Sequence, residues 1–258
     1  MAHDTELLHT AELAAQVAGE KLQAWVGRFT VSEKRPADLV TEADFEAQAA
    51  IYDLIHGRYP EHNFLGEEGL NETNSESPYR WIIDPLDGTS NYVHGFPYYG
   101  VSIGLEQARE LQLGVIFDPN RGELFSAIRG GGATLNGERI GPSRVKSLQQ
   151  AMLVASLPVG AKADDPAVAR FLRVLPRAQT VQRTGSAALN LAYVAAGRID
   201  GFFSTSLKPW DMAAGALIVE ESGGRVSKAN GDPLDIHVSD LAASNGTALH
   251  SELEDVLR

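Results

Sequence analysis

Cysteine is absent from this chain of 258 residues. Without cysteine there is no disulfide, no thiolate nucleophile and no zinc site with sulfur ligands. Long apolar runs are missing as well, because none approaches the roughly 20 residues that a membrane-spanning helix needs. The first stretch, MAHDTELLHTAEL, lacks the basic and then apolar pattern of a signal peptide. We therefore expect a soluble protein of the cytoplasm.

Basic residues are in short supply. The chain has 22 Lys and Arg against 34 Asp and Glu, which gives a formal net charge of −12. Such a surface repels nucleic acids and anionic membranes over most of the molecule, so we expect neither as a partner. The hydrophobic fraction of 43% supports a sizeable core. We expect one domain over residues 1–258, with an α+β half over about 1–145 and an α/β half over about 146–258.

Helical and strand patterns alternate along the chain. Apolar residues recur at helical spacing over residues 6–26 and 45–55. RWIID is a short apolar strand, and antiparallel strands follow it with turns at Arg109-Glu110, Pro119-Asn120 and Asn136-Gly137. Further helices are predicted near residues 167–175, 186–196, 211–221 and 251–257, with strands between them. This order predicts an α/β (α+β) fold in which helices are layered on sheets.

The stretch WIIDPLDGTSNYVHGFP, residues 81–97, carries two carboxylates three positions apart. Pro85 cannot donate a hydrogen bond to a sheet, so we expect the strand to stop there and to present Asp84 at a sheet edge. Gly88 allows a sharp turn, and Thr89 can open a helix whose first N–H groups favour an anion. Asp84 and Asp87 would repel each other unless a cation lay between them. Hard cations prefer such oxygen ligands, so the pattern indicates Mg²⁺ or Mn²⁺.

The same stretch has a simpler interpretation, since Asp-Pro-Leu-Asp-Gly on its own is typical of a turn. Three further acidic motifs accompany it. LGEEG places Glu67 and Glu68 after an apolar strand, DLVTEAD sets Asp44 in a pattern that resembles a capping box, and KPWDMAAG places Asp211 near a helix start. Each motif alone indicates a loop or a helix cap. All four in one chain favour a metal site.

In this order the motifs resemble those of the inositol monophosphatase family of magnesium-dependent, lithium-sensitive phosphatases. WIIDPLDGTSNYVHG is similar to the first signature of that family and WDMAAGALIVEESGG to the second, with DLVTEAD and LGEEG upstream. The resemblance extends from about Asp38 to Gly224. It implies a layered α-β-α-β-α sandwich of the inositol monophosphatase and fructose-1,6-bisphosphatase type, commonly a homodimer.

The resemblance also implies roles for individual residues. The implied metal ligands are Glu67, Glu68, Asp84, Asp87, Asp211 and the carbonyl of Leu86. The residues implied to orient the attacking water are Asp44, Glu67 and Thr89. The implied substrate contacts are Asp87, Gly88, Thr89, Gly185, Ser186, Ala187, Ser204 and Asp211. Two or three Mg²⁺ ions are implied as the cofactor, with Mn²⁺ as the alternative.

The reaction that the family implies is hydrolysis of a small phosphomonoester. Such an ester is a dianion, so carboxylates can face it only after metal ions reverse the local charge. Two ions can activate a water molecule for direct in-line attack, without a phosphoenzyme. An aspartyl-phosphate mechanism would need D-x-D-x-T, whereas this chain has D-x-x-D with a proline between the aspartates. The chain also lacks the cysteine of a cysteine phosphatase and an H-x-G-x-R-x-G-like loop.

The substrate pocket departs from the family at one position. Seven residues before Asp211, where the family has a glutamate that holds a sugar-ring hydroxyl, this chain has Ser204. Lys208 and Arg183 lie near the pocket in sequence and would suit a second anionic group. We expect a phosphorylated polyol or sugar, with inositol 1-phosphate first. The alternatives are fructose 1,6-bisphosphate, histidinol phosphate, 3'-phosphoadenosine 5'-phosphate, or a scaffold that binds metal or phosphate without catalysis.

The segment VSEKRPADLV matches a hairpin that lies beside the metals in the family. Lys34 precedes Arg35 and Pro36, a composition that suits an exposed turn. We expect this hairpin to close over bound substrate.

Overall fold

The structure is a computed structural model that describes residues 2–36 and 38–258. Its helices are α1 (Ala2–Trp25), α2 (Glu42–His56), α3 (Thr89–Val93), α4 (Pro166–Val174), α5 (Ala187–Ala195), α6 (Pro209–Ser222) and α7 (Ala248–Leu257). Its strands are β1 (Val31–Arg35), β2 (Asp38–Thr41), β3 (Asn63–Gly66), β4 (Asn71–Glu72), β5 (Tyr79–Asp87), β6 (Gly100–Gln107), β7 (Glu110–Asp118), β8 (Glu123–Ile128), β9 (Gly132–Leu135), β10 (Glu138–Arg139), β11 (Met152–Ser156), β12 (Thr180–Gln182), β13 (Gly201–Ser204), β14 (Arg225–Ser227) and β15 (Leu241–Ser244).

The strands form two large sheets and one hairpin. The larger sheet has eight strands in the order β10-β9-β8-β7-β6-β5-β3-β4, and only the β3–β5 pair in it is parallel among the described residues. The smaller sheet has five strands in the order β12-β11-β13-β15-β14. The hairpin consists of β1 and β2. β5 therefore lies inside the larger sheet, between β3 and β6.

Three apolar cores join five layers of helices and sheets. The first core joins α1 and α2 to one face of the larger sheet and includes Leu22, Ile51 and Trp81. The second places α5 and α6 between the two sheets, and the third joins the outer face of the smaller sheet to α4 and α7. The order of layers is thus α-β-α-β-α, as predicted. No helix in the described part of the chain has the length and apolar character needed to cross a membrane.

Close approach of α6 to the larger sheet depends on a glycine in β7. A Cβ atom on Gly114 would lie 2.5 Å from the carbonyl oxygen of Ala214 in α6. Any larger residue would therefore push the helix away from the sheet. This packing matters for the site, because α6 carries Asp211 towards β5.

Two predictions about local structure were wrong. β5 does not stop at Pro85: it continues to Asp87, and Asp84 is only 1% exposed instead of lying at a sheet edge. The turn predicted at Arg109-Glu110 is centred one residue earlier, on Ala108 and Arg109, which both have positive φ. The predicted helices are confirmed, with ends that differ by a few residues.

Candidate metal and phosphate site

A bulge in β5 brings Asp84 and Asp87 to the same side of the sheet. Asp84 pairs with Ser102 of β6 and Asp87 pairs with Gly100, so β5 has one residue more than its partner over this interval. Without that extra residue, side chains three positions apart would point to opposite faces. The missing N–H of Pro85 falls inside the bulge, where no ladder bond is needed, and this is why the strand passes through the proline.

Asp211 completes a cluster of three carboxylates. It is the third residue of α6, and its Oδ2 accepts a 2.7 Å hydrogen bond from the N–H of Lys208, which caps the helix. One carboxylate oxygen from each of Asp84, Asp87 and Asp211 lies within 4.8 Å of the other two. The cap and the cluster use the same side chain, so both interpretations of Asp211 hold.

The surroundings of these three carboxylates disfavour their ionised form. Burial, together with the charges of neighbouring acidic groups, raises the pKa values of Asp84 and Asp211 well above the ordinary value. Burial also raises the pKa of Asp87 to about 7, although hydrogen bonds from Ser186 and Ala188 oppose the shift. Several buried carboxylates without a cation are unfavourable, and an all-oxygen donor set suits Mg²⁺ or Mn²⁺. The residues present therefore fit a hard divalent metal ion.

Asp87 is fixed by the start of α5. The Ser186 hydroxyl and the Ala188 N–H each donate a 2.6 Å hydrogen bond to Asp87 Oδ2. Asn91 Nδ2 donates to the carbonyls of Thr184 and Tyr98, at 2.8 and 2.7 Å, and so ties the preceding loop to the β5–α3 corner. Ser186 itself is fully buried. Its expected role as a substrate contact is replaced by one in which it holds Asp87.

Lys34 lies beside the cluster. Its Nζ is 3.0 Å from Glu67 Oε1 and 2.5 Å from Glu68 Oε1. Burial would lower the pKa of Lys34, but Glu67 and Glu68 outweigh it and raise that pKa. The residue is exposed, as predicted, but it lies in β1 and not in a turn. The carboxylates of Glu67 and Glu68 hold the ammonium at this position.

The LGEEG loop is positioned by α2. Gln48 exchanges two hydrogen bonds with the backbone of Glu68, at 3.0 and 3.2 Å. The backbone of Glu67 also bonds to β5, because its N–H donates to the Ile83 carbonyl at 3.2 Å. Glu67 lines the same cavity as the three aspartates but lies outside the 4.8 Å cluster. Glu68 is not among the residues that line this cavity.

Thr89 and Asp44 are in direct contact beside the cluster. Thr89 Oγ1 lies 3.3 Å from Asp44 Oδ1 and 3.2 Å from the Leu86 carbonyl oxygen. Asp44 Oδ2 accepts a 2.8 Å hydrogen bond from the Thr41 N–H in the predicted capping box, which is confirmed. Burial raises the pKa of Asp44 to about 6, against the opposing hydrogen bonds from Thr41.

Two adjoining cavities surround this chemistry. The first, about 210 Å³, is lined by Glu67, Asp84, Leu86, Asp87, Gly88, Thr89 and Asp211, among others. The second, about 540 Å³, is lined in part by Gly185, Ala187 and Lys208. Ser204 lines neither of them: it is 2% exposed, and Thr205 and Ser206 line the larger cavity instead. The expected pocket position of Ser204 is therefore not supported by its placement at the buried end of β13.

Sequence reasoning missed Gln48, Asn91 and the role of Lys34. Gln48 follows Asp44 by four residues in α2, and this spacing places both side chains on the same helix face. That pattern could have identified Gln48. Nothing in the local sequence indicates that Asn91 contacts Thr184, 93 residues away, or that Lys34 contacts Glu67 and Glu68, 33 and 34 residues away.

Comparisons with known proteins agree with this geometry. The profile of the family described as "Inositol monophosphatase family" matches residues 3–258. A Salmonella typhimurium protein named "Nus factor SuhB" is 39% identical over 235 residues, which are 88% of each chain. A Rhizobium meliloti protein named "Inositol-1-monophosphatase" is 38% identical and covers 93% of this chain and 91% of its own. The crystal structure of extragenic suppressor protein suhB from Bartonella henselae superposes with a TM-score of 0.93 at 36% identity, over 98% of both chains.

Proposed function

Since the chain belongs to the inositol monophosphatase family, we propose that it is a magnesium-dependent phosphomonoesterase that hydrolyses a small phosphorylated polyol or sugar. The observation that carries this proposal is the cluster of Asp84, Asp87 and Asp211 beside Thr89 in one cavity. Three adjacent carboxylates would repel a phosphate ester by themselves. They become a phosphate site once divalent cations are bound, and this is why magnesium is part of the proposal.

The proposed metal ligands are Glu67, Asp84, Asp87, Asp211 and the carbonyl of Leu86. The Lys34 ammonium occupies the position beside Glu67 and Glu68, so we infer that it moves when Glu67 binds metal. Bound divalent cations supply charge neutralisation and the acidification of water that phosphate ester hydrolysis needs. Mn²⁺ offers the same preference for oxygen ligands and is the alternative ion.

Thr89 and Asp44 are proposed to orient the attacking water. Asp44 is 1% exposed, so it acts through Thr89 as an acceptor that fixes the direction of the hydroxyl. With its proton directed to Asp44, Thr89 Oγ1 presents its lone pairs to a water in the cavity. Direct attack by that water leaves no covalent bond between enzyme and phosphate. Gly88 lines the same cavity and allows the phosphate to approach the backbone closely.

Inositol 1-phosphate is the first substrate to test, because one relative is named for that activity. Phosphate release from it would be measured with magnesium, without magnesium, and with magnesium plus lithium. We expect release that requires magnesium and is inhibited by lithium. Fructose 1,6-bisphosphate, histidinol phosphate and 3'-phosphoadenosine 5'-phosphate complete the panel. Absence of release from all four would overturn the proposed catalysis.

A second candidate is a protein that acts by binding and not by catalysis. It is favoured by the name "Nus factor SuhB" on a relative that is 39% identical. This candidate predicts binding of magnesium without phosphate release from any member of the panel. Retention of Thr89 beside Asp44 favours the enzyme, because a scaffold does not need a hydroxyl that orients water.

Two further expectations stay predictions: a homodimer, which the family resemblance implies, and a cytoplasmic location, which the sequence composition indicates. Sedimentation equilibrium of the purified chain tests the first. A mass near twice 27.8 kDa is expected, and a mass of one chain at micromolar concentration would contradict it.

A further inference from the structure

The cavity of about 540 Å³ is continuous with the metal site. It shares Asp87, Val159, Gly185 and Asp211 with the smaller cavity that contains Thr89. A phosphate held beside Thr89 therefore directs its alcohol into the larger cavity. The lining of this second space determines which alcohols are accepted.

Neutral hydroxyl groups dominate the polar lining of the larger cavity. They belong to Ser156, Thr205, Ser206 and Ser239. Hydroxyls donate and accept equally well, so they do not distinguish one polar substituent from another. The acidic residues among the lining are Asp87 and Asp211, which the proposed function uses for metal. Among the lining residues that the structure describes, Lys208 is the one with a formal positive charge.

The backbone of Lys208 is held by a hydrogen bond, whereas its ammonium has no ion-pair partner among the described residues. Its N–H donates to Asp211 Oδ2 at 2.7 Å, and Pro209 begins α6 directly after it. The residue is exposed, and within residues 2–36 and 38–258 its ammonium forms no ion pair of 4.0 Å or less. A lysine that lines a cavity with several hydroxyl residues suits a carboxylate or a phosphate, because hydrogen bonds between charged groups are stronger than neutral ones.

Ser204 stands where the family has a glutamate that holds a sugar-ring hydroxyl, so this chain lacks that carboxylate. Its Oγ accepts from the Ser206 N–H at 3.3 Å and lies 3.4 Å from the Ser206 hydroxyl. With the side chain committed there and 2% exposed, no charged acceptor from this position reaches a ring hydroxyl of a polyol. Selection by charge in the larger cavity therefore falls to Lys208.

On the basis of the phosphatase function proposed above, we propose that Lys208 selects phosphorylated polyols or sugars whose leaving alcohol carries a second anionic group. That group is a carboxylate or another phosphate, which share the chemistry that an ammonium recognises. Leu157, Pro158 and Val159 form an apolar wall of the same cavity.

Two matched pairs of probes test the selection. 3-Phosphoglycerate and glycerol 3-phosphate differ by a carboxylate, and fructose 1,6-bisphosphate and fructose 1-phosphate differ by a second phosphate. We expect kcat/KM of the member with the second anionic group to exceed that of the member without it by about tenfold in at least one pair. The pair that shows the preference identifies the source of the anionic group.

Substitutions at Lys208 separate charge selection from general effects on the site. Lys208→Met is expected to remove most of the preference, and Lys208→Arg to retain it. The loss should appear in KM, because an anion remote from the reacting phosphate contributes equally to ground-state and transition-state binding. Lys146→Met is the control, since Lys146 is exposed but does not line the cavity. It should leave the preference in place.

Two results would overturn the inference while leaving the proposed function intact. One is a kcat/KM ratio near one for both pairs in the unmodified protein. The other is a preference that Lys208→Met leaves unchanged. By contrast, no phosphate release from these four probes or from inositol 1-phosphate and the other esters of the first panel, with magnesium present, would overturn the proposed function and this inference with it.

Discussion

Asp87 owes its position to two hydrogen bonds on a single oxygen. Both Ser186 and the Ala188 N–H donate to Oδ2, and these bonds favour the ionised carboxylate that a metal needs. Ser186→Ala removes one donor. We expect this change to raise the pKa of Asp87 and to weaken Mg²⁺ binding by about tenfold, since partners of metal ligands typically have effects of that size. Titration calorimetry with Mg²⁺ measures the affinity.

The control for Ser186→Ala must remove a helix cap without touching the site. Ser186 also caps α5, by accepting from the Leu189 N–H. Asp165 caps α4 in the same way, by accepting from the Ala167 N–H at 2.7 Å. Each alanine substitution should lower the free energy of unfolding by about 1 kcal/mol. Equal Mg²⁺ affinities in the Ser186 and Asp165 variants would show that the Ser186 bond does not support the metal site.

Gly88 holds the corner between β5 and α3 in a conformation that other residues rarely adopt. Its φ is 103°, and a Cβ atom would lie 3.1 Å from the Tyr98 carbonyl oxygen. Gly88→Ala should therefore lower the free energy of unfolding by about 1–3 kcal/mol. Gly122→Ala is the matched control, because Gly122 also has positive φ but has open space around it. Chemical denaturation that gave the same loss for both variants would contradict the steric part of this account.

At the scale of elements, the β1–β2 hairpin carries Lys34 into the site. The ammonium contacts Glu67 and Glu68, so it competes with a metal ion for the same oxygens. Lys34→Met should lower the Mg²⁺ concentration for half-maximal binding by about tenfold, because a charged hydrogen-bond partner no longer has to be displaced. Calorimetry at about pH 8 keeps Glu68 ionised, since burial raises its pKa to about 7.

Lys146→Met is the control for this charge change, because Lys146 is exposed and lies outside both cavities. It removes the same charge from the molecule as a whole. An Mg²⁺ affinity that rose equally in both variants would show a general electrostatic effect. An affinity that fell in Lys34→Met would contradict competition.

The elements also show what the sequence could and could not reveal. Period and capping patterns predicted the helices. Two of the four acidic motifs contain Asp84, Asp87 and Asp211, which lie together in the structure. The passage of β5 through Pro85 was not predictable from local rules. It requires a bulge opposite β6, and that pairing depends on the whole sheet. Contacts across long sequence separations, such as Lys34 with Glu67, were missed for the same reason.

For the whole molecule, buried carboxyls link stability to pH and to metal. The pKa of Asp44 is raised to about 6 and those of Asp87 and Glu68 to about 7, in each case chiefly by burial. A carboxyl with a raised folded pKa contributes stability that is complete below its unfolded pKa, near 4, and is lost as pH rises through the folded value. The metal-free protein should therefore lose stability between about pH 4 and pH 8 from these groups.

Buried histidines act in the opposite direction at lower pH. Burial lowers the pKa values of His62 and His250, so their contribution is lost as pH falls below about 6.5. The carboxyl effect is therefore measured between about pH 6.5 and pH 8. Thermal midpoints in that window should fall with rising pH in a chelator, and the increment produced by Mg²⁺ should grow, because the metal binds the ionised form. An increment that did not change with pH would contradict the linkage.

We propose that Asp84, Asp87 and Asp211 form a phosphatase centre that works only with a divalent cation. The most direct measurement is phosphate release by metal-stripped protein during an Mg²⁺ titration, with Asp84→Asn alongside and the fastest ester of the panel as substrate. Release should rise from zero to saturation in the unmodified protein and be lower by about 100-fold or more in Asp84→Asn at every Mg²⁺ concentration. Release that did not depend on Mg²⁺, or that Asp84→Asn retained, would contradict it.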